Sequence, residues 1–179
     1  MKTLWTVGHS THSIEEFLAL LKAHAVEEIV DVRSIPKSRH CPQFNADALG
    51  ESLRGARIRY TPIEALGGRR YSRKGSINMG WRNASFRGYA DYMATEEFAQ
   101  GLEELIGIAA ARKTAVMCAE AVPWRCHRSL IADAMMVRGW KVRDIVSARP
   151  ATLHKPTPFL KVEEGRLTYP EPDASSEQR

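Results

Sequence analysis

Cysteine is scarce in this chain and long apolar runs are missing. Three cysteines among 179 residues is a low and odd count. It argues against a disulfide framework and for reduced thiols in a cytoplasmic setting. No apolar run approaches the roughly 18 residues that a membrane span needs. The opening MKTLWTVGHS has neither an apolar h-region nor a small-residue cleavage site, so no signal peptide and no membrane partner are expected. Acids are missing from one long stretch. Between Ser52 and Gly88, nine Lys and Arg stand against the single acid Glu64.

That basic stretch interleaves its arginines with Tyr60, Tyr71, Trp81 and Phe86. Arginines suit phosphates and aromatic faces suit bases. Arg69, Arg70, Arg73, Trp81 and Arg82 are therefore nucleic-acid candidates, with a solvated surface loop as the plainer alternative. The net charge of +5 is mild, so the clustering matters more than the total.

The pattern of elements predicts an α/β fold. Thr3 to Val7 reads as a strand. Ser13 and Glu16 form a capping-box pattern that opens the helix IEEFLALLKAHA. EEIVDV, with three β-branched residues, suits a buried parallel strand. Asn45 is placed to cap a short helix to about Arg54, and Arg57 to Thr61 reads as a third strand. Ile63 to Arg87 shows no periodicity. A short helix is expected near Phe86, and Thr95 is expected to cap a longer one over EEFAQGLEELIGIAAAR. Thr114 to Cys118 is the fourth strand, a helix follows His127 to about Gly139, and WKVRDIV is the fifth strand. FLKVEEGRLTYP suggests a small hairpin. The expectation is a single-domain three-layer sandwich over residues 1–168. Its sheet has about five mostly parallel strands with helices on both faces, and residues 169–179 form a disordered tail.

Ligands in such sheets bind beyond the carboxyl ends of the strands. GHSTHS, DVRSIPKSR and CAEAVPWRCHRS all follow strand ends, so they are expected to converge on one edge. TVGHST, DVRSIPKSR, LGGRR, NMGWRNASFRGYADYM and MCAEAVPWRCHRSLIA together resemble the domain of unknown function 488 family, over roughly Thr3 to His154. The resemblance implies an α/β fold and a shared polar site, and no established reaction or cofactor.

Three chemistries remain open at the site. Cys118 before a loop and a helix start resembles a cysteine-phosphatase cradle, and DVR after a strand looks rhodanese-like. Phosphatase cradles place their arginine nearer, however: six residues separate Cys118 from Arg125 and nine separate it from Arg128. A metal-dependent site has suitable ligand types but no diagnostic spacing, so no metal ligands are assigned. The residue types favour an anion site for a phosphate-containing small molecule, a nucleotide or a nucleic acid. Arg33, Arg39 and Arg128 would clamp the anion, with Ser10, Thr11, Asp31, Ser38 and Ser129 as further ligand-binding candidates. Glu120 would act as general acid or base, tuned by burial and the nearby arginines. His9, His127 and Cys118 complete the catalytic candidates. A hydrolase or transferase is one expectation, and a non-catalytic nucleic-acid-binding module is its rival.

Overall fold

Five parallel strands form the frame of the chain: β1 (Thr3–Gly8), β2 (Glu28–Asp31), β3 (Arg59–Pro62), β4 (Thr114–Cys118) and β5 (Lys141–Ile145). A two-residue antiparallel strand, β6 (Thr152–Leu153), adds to the β5 edge, giving the order β3-β2-β4-β1-β5-β6. The computed structural model describes residues 1–173. Most of the tail expected at 169–179 lies outside the described residues. Tyr169, assigned to that tail, is fully buried, and its hydroxyl donates to Asp133 at 2.9 Å.

Strand period 2 divides the core into two clusters. Val7, Ile29, Ala115, Met117 and Ile145 point toward α1 (Ile14–Ala23) and α2 (Ala46–Gly55). Leu4, Val30, Val116 and Val142 point the other way, toward α3 (Ala84–Tyr92), α4 (Glu96–Ala111) and α5 (Arg128–Val137). Helices therefore cover both faces, which is why the central strands are apolar on both sides. The capping box at Ser13 and Glu16 is complete, with both reciprocal hydrogen bonds made. Asn45 is the N-cap residue of α2, but its side-chain oxygen accepts from the Ser38 N–H at 2.7 Å instead.

The irregular segment after β3 holds one turn of 3-10 helix, Glu64–Leu66, and then no helix or strand until α3. Side chains of α3 order it. Tyr89 and Tyr92 donate their hydroxyls to the carbonyls of Leu66 and Ala65, at 2.9 and 2.7 Å. Asp91 accepts from the Arg73 N–H at 2.9 Å and from Asn78 Nδ2 at 2.8 Å. Asn78 in turn accepts from the Tyr169 N–H at 2.9 Å. The expected hairpin is present as β7 (Lys161–Glu163) and β8 (Arg166–Thr168), a separate two-stranded sheet. No helix among the described residues is long and apolar enough to cross a membrane.

Candidate functional site

The loops after β1, β2 and β4 meet at the carboxyl edge of the sheet. The His9 and Ser10 N–H groups donate to the carbonyls of Cys118 and Ala119, both at 2.9 Å, and the Val32 N–H donates to Met117 O at 3.1 Å. Gly8 permits this crossing. A Cβ there would collide with the Glu120 carbonyl and approach an Arg128 guanidinium nitrogen at 2.9 Å.

A cavity of about 360 Å³ opens above these strand ends. Its wall comes from the β2 loop (Arg33, Ser34, Lys37), the turn at Gly68 and Arg69, and the first turn of α3. Cys118, Glu120, Arg125, Cys126 and His127 of the β4 loop complete it. The GHSTHS loop is not part of the lining. It lies behind, where the His9 ring stacks on Phe44 at 4.3 Å. His9 Nδ1–H donates to Ser10 O at 2.8 Å, which leaves Nε2 to accept from Arg33 Nη1 at 3.4 Å. Burial, and to a lesser degree the Arg33 charge, hold its pKa below the ordinary value. His9 is thus a neutral prop for Arg33. Thr11 is exposed and Ser10 half-buried, away from the cavity.

The expected arginine clamp is largely spent on the protein itself. Arg33 Nε and Nη2 grip the buried Asp31 carboxylate at 2.9 and 2.6 Å, and Tyr60 donates its hydroxyl to the same carboxylate at 2.6 Å. Burial works against the Arg33 charge, but the Asp31 bonds outweigh it and raise its pKa. Arg128 is 0% exposed. It donates to the carbonyls of Glu120 and Ala121, to Thr6 Oγ1 at 3.4 Å and to Cys118 Sγ at 2.7 Å. It fastens the loop from beneath and does not line the cavity. Arg39 is exposed and also outside the lining. Ser38 accepts from the N–H groups of His40 and Cys41, and Ser129 donates to Cys126 O at 2.9 Å, so both hydroxyls serve turns.

Glu120 differs from its expectation in a useful way. Its carbonyl, not its carboxylate, meets Arg128, and the residue is exposed on the cavity wall rather than buried. His127 Nε2–H donates to Val32 O at 2.9 Å, which leaves Nδ1 unprotonated, 3.5 Å from Cys126 Sγ. Burial first, then Arg128, lower its pKa to about 4. Gly68 sits so close that a Cβ would strike this ring.

The sulfurs of Cys118 and Cys126 are in direct contact, as partners of a cross-link between the end of β4 and the loop before α5. The low cysteine count gave no sign of this pairing, because proximity across a loop is not encoded in a count. Cys41, the third cysteine, is separate. Among the described residues, no three His, Cys, Asp or Glu side chains converge as a metal-holding group.

The family model described as Domain of unknown function DUF488 matches residues 13–135. The chain belongs to the DUF488 family. The DUF488 match takes in every residue of the cavity wall and leaves the TVGHST motif outside, narrower than the Thr3 to His154 resemblance. No curated protein and no solved structure matches the chain.

The basic stretch divides in two. Arg70 lies over the Tyr92 ring at 3.7 Å and donates to the carbonyls of Gly67 and Glu64, both at 3.2 Å. Trp81 packs against Phe86 at 4.8 Å and Phe159 at 4.9 Å. These two build the fold. Arg69, Tyr71, Arg73, Lys74 and Arg82 are exposed, Tyr71 at 96%. Trp124 is 68% exposed. With Pro123 it lines a second cavity of about 600 Å³.

Sequence reasoning singled out neither Lys37 nor Arg125 as a ligand group. Lys37 stands within DVRSIPKSR, and Arg125 enters the sequence reading only through its spacing from Cys118. Their exposure on one wall, beside partners distant in sequence, is a tertiary property that no local pattern carries.

Proposed function

We propose that this DUF488 chain binds a small phosphate-bearing anion in the 360 Å³ cavity, with Glu120 as its acid–base group. One observation carries the reading. Lys37, Arg69 and Arg125 are exposed on the cavity wall, and none has a side-chain hydrogen bond or ion pair among the described residues. Like charges facing a concave, protein-walled space concentrate the field there and draw in anions. Arginine forks then match phosphate oxygens in pairs. Glu120 is the single carboxylate among the lining residues, so proton transfer to or from a bound substrate falls to it. Hydrolysis or transfer at a phosphate-bearing substrate is the corresponding reaction class.

Calorimetric titration with pyrophosphate tests the binding. Saturable heat that weakens with salt supports it, as does its loss in Lys37→Ala/Arg125→Ala. No heat at low salt would remove the reading. Once a turned-over substrate is found, Glu120→Gln should abolish turnover and keep the fold.

A second reading has its own support. Tyr71 stands fully in solvent between Arg69 and the exposed pair Arg73 and Lys74. An aromatic face among exposed cations suits a single-stranded nucleic acid. Arg69 belongs to both surfaces, so such a strand would run toward the cavity.

A further inference from the structure

Arg128 is a completely buried cation whose hydrogen bonds reach only neutral oxygens and one sulfur. Buried charge is costly unless paired. The Asp144 and Glu120 carboxylates favour the charge without a direct hydrogen bond to it. Among its hydrogen-bond partners only the Cys118 sulfur, 2.7 Å from Arg128 Nη1, can carry a negative charge, as a thiolate once the pair is reduced. The Cys126 sulfur touches it from the other side and accepts from the Arg128 backbone N–H at 3.4 Å, at the start of α5. His127 Nδ1 lies 3.5 Å from Cys126 Sγ, within reach to accept its S–H in the reduced pair. Cys118 and Cys126, 2% and 5% exposed, both belong to the wall of the cavity that also presents Lys37, Arg69 and Arg125.

We propose that Cys118 and Cys126 are a redox-active dithiol that exchanges with a carboxylate-bearing low-molecular-weight disulfide admitted by this cavity. The proposal rests on the anion-binding reading of the same wall. The Cys118 thiolate attacks one sulfur of the incoming disulfide, forming a mixed disulfide and expelling one thiolate. Cys126 then loses its S–H proton to that departing thiolate and attacks the Cys118 sulfur. The new bond joins Cys118 to Cys126 and expels the second thiolate. Two electrons pass from the protein sulfurs to the small disulfide, and the reverse path reduces the protein again. His127 orients the Cys126 S–H and is a positioning residue. Cys41 lies outside this pair.

The test uses the reduced full-length chain with oxidised glutathione, and with bis(2-hydroxyethyl) disulfide as an uncharged control. Alkylation and intact mass count the thiols. The expected result is a fall from three free cysteines to one, at a mass lower by two hydrogens. Oxidised glutathione should react roughly tenfold faster, the lower end of what field-steered encounter supplies. That advantage should vanish in Lys37→Ala/Arg69→Ala/Arg125→Ala. Cys126→Ser should stop at a mixed disulfide on Cys118, identified by peptide mapping. Three thiols persisting with both reagents would overturn the proposal even if pyrophosphate binds. Closure of the pair at equal rates with both would overturn the anionic substrate while the dithiol stands.

Discussion

The His127 imidazole donates from Nε2 to the Val32 carbonyl at 2.9 Å, tying the start of α5 to the end of β2 across the cavity floor. The bond fixes the tautomer and holds two loops of the site at one separation. His154 is its counterpart on the far side of α5. It lies 3.0 Å from Asp144 Oδ2 and 3.5 Å from Asp133 Oδ1. Burial opposes the His154 charge, but the two aspartates outweigh it and raise its pKa to about 9.

These two histidines give stability opposite pH limbs. His127 is depressed to about 4 from 6.5, so its contribution is full above pH 6.5 and is lost as acid approaches pH 4. His154 is raised from 6.5 to about 9, so its contribution is full below pH 6.5 and is lost as pH rises through 9. Each limb is worth about 3 kcal/mol. Urea midpoints should therefore peak near neutrality. His127→Gln should flatten the acid limb and His154→Gln the alkaline one. Limbs unchanged by either substitution would refute the assignment.

Arg128 holds four groups at once, so removing its charge strands them. Arg128→Met should cost about 3 kcal/mol in urea unfolding, chiefly from unpaired carbonyls of Glu120 and Ala121. Arg128→Lys, a point charge without a fork, should recover only part of that. A variant as stable as the parent would mean that the loop is held by other contacts.

Gly68→Ala tests the floor by crowding. The added methyl strikes the His127 ring, which is itself wedged against Tyr89 at 4.9 Å. The ring must leave Val32 or the Gly67–Arg69 turn must move. A loss of about 1–3 kcal/mol is expected, together with weaker pyrophosphate binding, because Arg69 rides on that turn.

The sequence was most legible where local rules are strong. β4 was readable to the residue from its apolar run, and Ser13 with Glu16 announced the start of α1. The short edge strand β6 was not readable, because two residues are too few to alternate. At the site, the motifs located the loops but not the direction of their side chains. Arg128 reads as a clamp because its guanidinium fork stands in a first helical turn just after the β4 loop. Here every residue from Arg128 to Met135 is buried, so α5 has no outward face at its start and the guanidinium turns inward. Asp133 likewise finds Thr157, Tyr169 and His154 at separations that no helical period reveals. Lys37, Arg69 and Arg125 come from three loops and share a wall only because β2, β3 and β4 are neighbours in the sheet.

That shared wall makes the two binding readings separable. Arg73, Lys74 and Arg82 are exposed but absent from the cavity lining. Replacing all three with alanine should leave pyrophosphate affinity within error of the parent. If a single-stranded oligonucleotide binds along Tyr71, the same variant should lose affinity. The slope of log affinity against log salt should then become shallower by about two, as expected for three lost phosphate contacts on a single strand. Fluorescence anisotropy across a salt series measures both quantities. A parent that binds pyrophosphate but no oligonucleotide leaves the basic stretch as a solvated surface and confines recognition to the cavity. Oligonucleotide binding that survives the triple variant but fails in Arg69→Ala/Arg125→Ala would instead bring the strand end itself into the cavity, beside Glu120.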